Sequence, residues 1–251
     1  MANYKTRNIV LSQETFKEFA KFEVQERPMT LQGVVNKTFF LLMLLVGSAA
    51  LSWNFFLSPY FVDEAIETLA FLSICTTGIG AFMVIANRTS RYLAPVYSIF
   101  EGALLGFVSG IAELVFPGIV LQAISITVGI FVAFLIIYKL KIIKPTANFK
   151  LAITSITLGI TLFYLYVILA RKMGVEMLFL HESSTGGIIF SVFVIIMAAL
   201  NLIMDFDFIE QGINQKVPKY MEWYCAFGLM VTIIWLYLEV LNLLMKSRSK
   251  K

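Results

Sequence analysis

The sequence predicts an all-α integral membrane protein, a bundle of seven transmembrane helices preceded by an amphipathic N-terminal helix. Of 251 residues, 59% are hydrophobic and only 14% are charged, and the mean hydropathy is +0.83. A soluble domain of this length needs more charge to cover its surface. The apolar residues fall into seven segments, each near the ~20 residues that cross a bilayer as a helix. These segments lack the alternation of membrane β-strands.

The first element is a polar N-terminal segment, residues 1–36. Between Thr15 and Arg27 its aromatic residues fall largely on one side of a helix, and Thr15 with Glu18 forms a capping box. This pattern predicts an amphipathic helix that lies on the membrane or covers the cytoplasmic mouth. A helical tail in water is the alternative, and Pro28 ends either one.

The transmembrane domain is predicted over residues 37–245, followed by a basic C-terminal tail, residues 246–251. Phe116, Pro117 and Gly118 alone separate the third span from the fourth. The chain has no convincing internal repeat, so we treat it as one domain. The seven spans are expected at about 37–57, 65–86, 93–115, 118–140, 150–170, 186–208 and 223–245.

Basic residues between the spans predict the orientation. They concentrate in the N-terminal segment and in the second, fourth and sixth loops, whereas the first and third loops have none. By the positive-inside rule the N-terminus is cytoplasmic. The basic tail then lies outside if all seven segments span, and inside if the last segment is re-entrant. We favour seven full spans.

Composition also argues against several classes of function. The net charge of +4 comes from lysines and arginines between apolar blocks rather than from a basic stripe, so no nucleic-acid partner is expected. The only histidine, His181, lies in a predicted external loop, and both cysteines lie in apolar segments. Intramembrane serine proteases and metalloproteases require histidines within the membrane, and the apolar segments of this sequence contain none. We expect no enzyme and no cofactor.

Glu239 is the most informative intramembrane acid, because it lies deep in the last apolar segment with no charged neighbour before Lys246. An acid in this position costs about 2.5–3.5 kcal/mol on insertion scales, so it needs a buried role. It can act as an ion ligand or a proton-titrated latch. Alternatively, it is a neutral hydrogen-bonded carboxyl that only holds helices together.

Asp205 and Asp207 lie at the predicted end of the sixth span. At about 100° per residue they point about 200° apart, so only one of them can face a shared interior. Asp207 shares a side with Glu210. Either aspartate can also be a carboxylate in water at the membrane interface. We favour Asp205 slightly as the interior group.

The third span carries a buried acid beside a strip of glycines. Gly102, Gly106 and Gly110 are spaced four apart, which predicts close approach of another helix. Glu101 is expected to be buried beside this strip, in a structural or a functional role. Further buried polar residues are expected at Arg88 and Arg91, as ion-pair partners of Glu101, and at Asn242.

Two stretches carry a family resemblance: MDFDFI at residues 204–209 and LYLEVLNL at residues 236–243. With NKT at 36–38 and EGALLG at 101–106, they resemble the transmembrane Bax-inhibitor-motif (YccA-like) family, in particular its bacterial members. The resemblance implies seven spans and a passive, pH-dependent calcium leak closed by two acids on the last two helices. Those roles fall on Glu239 and on Asp205 or Asp207. Here the second acid is Glu rather than Asp, and the stretch between the acids is longer than usual.

Carboxylates suit such a path because calcium requires several oxygen ligands and anionic oxygens offset its lost hydration. Two carboxyls in contact also share a proton, so a pair can be both ligand and pH latch. We therefore expect calcium at Asp205, Asp207 and Glu239, with the bilayer, calcium and protons as partners, in a bacterial plasma membrane. The alternative is an interaction protein that modulates a membrane protease or stress and cell-death machinery through a membrane protein partner. A proton-coupled transporter would require an inverted repeat, which is not found.

Overall fold

The described residues of the chain form seven long α-helices. The computed structural model describes residues 27–56, 65–173 and 185–249. Each of the seven helices is long and apolar enough to cross a membrane. No β-strand occurs in these three ranges, so the predicted all-α, seven-helix membrane fold is confirmed. The helices are α1 (Leu31–Phe56), α2 (Ala65–Ile85), α3 (Ser90–Val115), α4 (Ile119–Lys139), α5 (Ala147–Lys172), α6 (Thr185–Asn214) and α7 (Met221–Ser249).

Helix ends depart from the predicted spans where polar residues continue an apolar helix. α2 and α4 end within one residue of prediction, but α1 begins at Leu31 rather than at 37, and α6 continues to Asn214 rather than ending at 208. Membrane helices run past the hydrocarbon into the interface, so an apolar window underestimates their length. α7 is one uninterrupted helix of 29 residues, as a full span requires. The predicted amphipathic helix from Thr15 lies outside the described residues, apart from Arg27.

The connection between α3 and α4 has the predicted three residues, 116–118. Gly118 has a φ of 79°, in the left-handed region. Glycine adopts this conformation without the steric cost that a Cβ atom would bring. The short turn after α3 therefore depends on a residue type that the sequence supplies at that position.

The chain forms two compact units. Of the described residues, the α1–α3 unit comprises 27–56, 65–117 and 208–231, so it includes the end of α6 and the start of α7. The α4–α7 unit comprises 118–173, 185–207 and 232–249, which include most of α6 and the second part of α7. The acidic residues singled out in the last two helices, Asp205, Asp207 and Glu239, all belong to the α4–α7 unit.

In the α1–α3 unit, α3 packs closely against α1 and α2. Ala94, Ser98, Glu101 and Leu105, at spacings of three and four residues, are all buried, as expected for one face of a helix. On the same helix, the ring of Tyr97 packs edge-on against Phe227 at 5.0 Å. The face of α3 that packs against its neighbours thus contains polar and small residues as well as apolar ones.

In the α4–α7 unit, the apolar core lies between α5, α6 and the second part of α7. Ile153, Ile160, Val194, Met197 and Met204 form its buried cluster. Phe149, Tyr164, Phe190, Leu200 and Trp235 pack around it. α4 and α5 otherwise leave long apolar faces exposed, including Leu121, Val128 and Leu158. A bilayer can solvate such faces, whereas water cannot do so cheaply.

Candidate functional site

Glu239 lies on α7 inside the α4–α7 unit, with only 6% of its surface exposed. Its Oε1 accepts hydrogen bonds from the Tyr164 hydroxyl at 2.9 Å and from the Trp235 indole N–H at 3.3 Å. Its Oε2 is buried and accepts no hydrogen bond from the described residues. One oxygen is therefore held in place, and the other can take a proton or a cation.

Asp205 lies on α6 and is also 6% exposed. Its carboxyl is hydrogen-bonded to the Thr232 side chain of α7. Its Oδ2 is buried without a hydrogen-bond partner in the described residues. Asp205 thus repeats the arrangement of Glu239, in which one oxygen is held and one remains open.

Asp207 points elsewhere, as the 200° separation predicts. It is half-buried and forms an ion pair with Lys150 of α5. Asp205 is therefore the aspartate that faces α7 in the interior of the unit. Asp207 faces α5, where Lys150 neutralises its charge. Glu210, three residues further along α6, is exposed.

The structure does not join Asp205 and Glu239 in one hydrogen bond. Asp205 contacts Thr232, and Glu239 lies seven residues beyond Thr232, which is about 10 Å along the helix axis. The expected directly bonded pair is therefore corrected to two separate carboxyls in the α4–α7 unit, each with its own partners.

Lys246 is a site residue that the sequence reasoning missed. The sequence predicts a basic tail from residue 246, but α7 continues to Ser249 and Lys246 is only 7% exposed. Its ammonium group donates to the Ser191 hydroxyl of α6 at 2.9 Å. It also interacts favourably with the charge of Glu239. A seven-residue spacing of polar groups from Thr232 through Glu239 to Lys246 was the available signal.

These three α7 residues share one face, because seven residues make nearly two full turns. α6 runs antiparallel to α7 in a matching register. Asp205 meets Thr232 and, fourteen residues away on each helix, Ser191 meets Lys246. We call this set the polar column: Thr232, Glu239 and Lys246 of α7, Asp205 and Ser191 of α6, and Tyr164 of α5.

The register places a small residue level with Glu239. Midway between Asp205 and Ser191 on α6 is Ala198, which is fully buried. The hydroxyl of Tyr164 reaches the carboxylate from the third helix, α5. The centre of the column thus contains an acid that is hydrogen-bonded to a phenol.

α5 follows the same spacing on its own face. Lys150, Thr157 and Tyr164 are seven residues apart. Lys150 pairs with Asp207, and the Thr157 hydroxyl accepts a hydrogen bond from the Asn201 amide at 2.9 Å. Polar side chains therefore recur at two-turn intervals on α5 and α7, beside the apolar cluster of the unit. Buried polar groups in hydrocarbon require such partners.

The predicted calcium ligands do not form a preassembled cage. In the described parts of the chain, no three His, Cys, Asp or Glu side chains come close enough to hold a metal ion. Asp205, Asp207 and Glu239 each have their own protein partners. The described residues therefore do not bring together the six to eight simultaneous oxygen ligands of a tight calcium site.

The remaining predicted polar residues have different surroundings. Glu101 is buried, and its carboxyl is hydrogen-bonded to Thr76 and Tyr97. The prediction that Arg88 and Arg91 are buried is wrong, because both are exposed. Their guanidinium groups lie 5.8 Å from the rings of Tyr220 and Tyr92, respectively. Both arginines sit at or just before the start of α3, where their charge avoids the cost of burial. Asn242 of α7 is half-buried.

The glycine strip lies where α3 approaches α1. A Cβ atom at Gly102 would be 2.9 Å from the Leu45 Cα, and one at Gly106 would be 2.8 Å from the Ala49 Cα. Gly110 is buried on the same helix. Only a residue without a side chain fits at such short separations between two backbones.

A second polar cluster, in the α1–α3 unit, was also missed. Glu222 is fully buried, forms an ion pair with Lys37 and accepts two hydrogen bonds from Thr30, both at 3.0 Å. The ammonium group of Lys37 lies 5.3 Å from the centre of the Trp223 ring. We call these four residues the Glu222 clasp. Sequence reasoning placed Thr30 in a polar segment before the first span, so it gave no reason to pair it with α7.

Comparison with known proteins identifies the family. A sequence profile described as Bax inhibitor 1 like matches residues 8–249. No curated protein and no solved structure matches the chain. The profile covers nearly the whole chain, including all seven helices and both acids of the polar column. The chain therefore belongs to the Bax inhibitor 1-like family of membrane proteins.

Proposed function

We propose that the protein is a pH-sensitive, calcium-permeable leak whose path is the polar column of the α4–α7 unit. One observation carries the proposal: Asp205 and Glu239 are both buried, and each keeps one oxygen without a hydrogen bond from the described residues. Intramembrane acids are costly and are usually retained for ion or proton pathways. Anionic oxygens are also the ligands that calcium prefers.

The pH dependence follows from competition for the same oxygens. A proton and a calcium ion compete for the carboxylate oxygen of Asp205 or Glu239 that accepts no hydrogen bond from the described residues. Acidic solution fills these oxygens with protons and removes the negative charge that attracts the cation. Calcium flux should therefore fall as the pH falls through the titration of the two carboxyls. Because they are separated by about two turns, each can titrate without sharing a proton directly.

Orientation is part of the proposal. The end of α4 and the α4–α5 connection carry three exposed lysines, Lys139, Lys141 and Lys144. By the positive-inside rule this side is cytoplasmic, in a bacterial plasma membrane. The N-terminus is then cytoplasmic as well, and the C-terminal end of α7 lies outside. The column would run from Lys246 on the outside, past Glu239, to Asp205 on the cytoplasmic half.

Calcium entry into liposomes that contain the purified protein and a trapped calcium dye tests the proposal. The flux would be measured from pH 5 to pH 8 for the wild type, Glu239→Gln and Asp205→Asn. Both substitutions keep the side-chain shape and remove the charge, so we expect lower flux and a flatter pH profile. Glu210→Gln is the matched control, because the same change on an exposed residue of α6 should alter neither.

Two results would count against this mechanism. If Glu239→Gln and Asp205→Asn conduct calcium as well as the wild type, the two carboxyls are not part of the ion path. Folded protein that gives no flux above empty liposomes would reject the leak itself. In that case an interaction protein, which acts on a membrane protease or stress machinery without transport, becomes the preferred function. Folding would be established by circular dichroism and a monodisperse elution profile.

A further inference from the structure

Lys246 places a fixed positive charge at one end of the polar column. It lies three residues before the end of α7, is 7% exposed, and is held by the Ser191 hydroxyl. Two turns away on the same face is Glu239, the central acid. A buried lysine normally escapes to water along its flexible stem, which is easy this close to a helix end. Here the ammonium group is instead held against α6.

We propose that the tethered ammonium group of Lys246 limits the passage of cations through the polar column. Because the barrier is electrostatic, it slows divalent cations more than monovalent ones. The inference rests on the proposed leak function and names a residue that controls it. A cation bound at Glu239 feels repulsion from the ammonium group of Lys246. A cation that enters the column from this end passes still closer to it. The acids of the column attract cations, and Lys246 opposes that attraction at the end of the same face.

Another charged group near this end of α7, Arg248, has a different position. Arg248 is two residues further along, about 200° around the helix. Its guanidinium group donates to Gln122 of α4 at 3.0 Å. Arg248 therefore carries the same positive charge as Lys246 near the end of α7, but it lies on a different face of the helix from the polar column. It is a matched control for the removal of one positive charge from the end of α7.

The magnitude follows from Coulomb's law. At about 10 Å and an effective dielectric constant of about 20, one positive charge lowers occupancy by a monovalent cation roughly 15-fold. The energy doubles for a divalent cation, so its factor is the square of the monovalent one. Water and counterions screen part of this effect. We expect removal of the charge to raise calcium flux about tenfold and potassium flux about threefold.

Paired calcium and potassium fluxes in liposomes test the proposal. The variants are Lys246→Gln and Lys246→Met, which remove the charge, and Lys246→Arg, which keeps it. We expect both neutral variants to raise calcium flux more than potassium flux. Lys246→Arg should resemble the wild type, and Arg248→Gln should change both fluxes little and equally. Two neutral variants are used because one of them can fail to fold.

The outcomes separate this inference from the proposed function. If the wild type conducts and folded neutral variants conduct equally or less, the role of Lys246 is rejected and the leak stands. Equal increases for calcium and potassium also reject it, because a charge barrier must depend on valence. If neither neutral variant folds while Lys246→Arg does, the lysine is structural and the proposal fails. If folded wild type and every folded variant are silent, the leak function and this inference fall together.

Discussion

Removing the ammonium group of Lys37 tests how strongly the Glu222 clasp stabilises the α1–α3 unit. Glu222 is 0% exposed and depends on Lys37 for charge neutralisation. Lys37→Met keeps the length of the side chain and leaves the carboxylate buried with only its two hydrogen bonds from Thr30. Breaking a buried ion pair in this way costs about 3–5 kcal/mol. Because the Thr30 bonds remain, we expect a loss of about 3 kcal/mol in the free energy of unfolding.

A second substitution distinguishes loss of the ion pair from loss of packing. Glu222→Gln in the Lys37→Met background removes the stranded charge and keeps an oxygen that accepts from Thr30. The double variant should recover at least half of the lost stability, because neutral replacements of buried ion pairs are often tolerated. Lys219→Met is the matched control. Lys219 is exposed, so its loss should cost less than about 0.5 kcal/mol.

Unfolding in mixed detergent micelles with increasing sodium dodecyl sulfate supplies the measurement. Cys225 is 3% exposed in the same unit, and reaction of its thiol with a dye reports opening of the unit. Cys75→Ala would leave Cys225 as the reporting thiol. A Lys37→Met variant within about 1 kcal/mol of the wild type would refute the reasoning. So would a double variant that is as unstable as the single one.

Two further predictions concern helix packing and the polar column. Gly102→Ala should cost about 2 kcal/mol or more in the same unfolding assay, because its Cβ would meet the backbone of Leu45, whereas Gly47→Ala, which has open space, should be nearly neutral. Equal effects of the two alanines would contradict the close approach of α1 and α3. Tyr164→Phe removes the hydroxyl that holds Glu239, so it should change the pH profile of calcium flux and cost about 1 kcal/mol of stability. Tyr166→Phe, on an exposed residue, should leave the profile unchanged.

Most of the fold could be predicted from the sequence because its cause is local. A run of apolar residues long enough to cross hydrocarbon becomes a helix wherever it sits, since backbone polar groups have no other partner there. α2 and α4 were placed within one residue on that basis. Helix ends were harder, because polar residues such as those at the end of α6 continue the hydrogen-bonding pattern beyond the apolar run.

The candidate site was only partly predictable. Burial of Glu239 follows from the cost of exposing a carboxylate to lipid, which depends on its own apolar neighbours in sequence. That Asp205 and Asp207 diverge follows from helical periodicity. Which of them faces the interior does not follow, because it depends on Lys150 of α5 and Thr232 of α7, both distant along the chain.

The sequence by itself determined the class of the protein, the number of its membrane-spanning helices and the burial of Glu101 and Glu239. These properties depend on the free energy of moving a local segment, with its side chains and backbone, from water into the membrane. Composition and periodicity are sufficient to estimate that free energy. Only the tertiary structure decided the partners of those acids. The register of α6 against α7 separates Asp205 from Glu239 and draws Lys246 into the interior at Ser191. Such pairings depend on where two helices meet, and no local pattern in either helix encodes that meeting point.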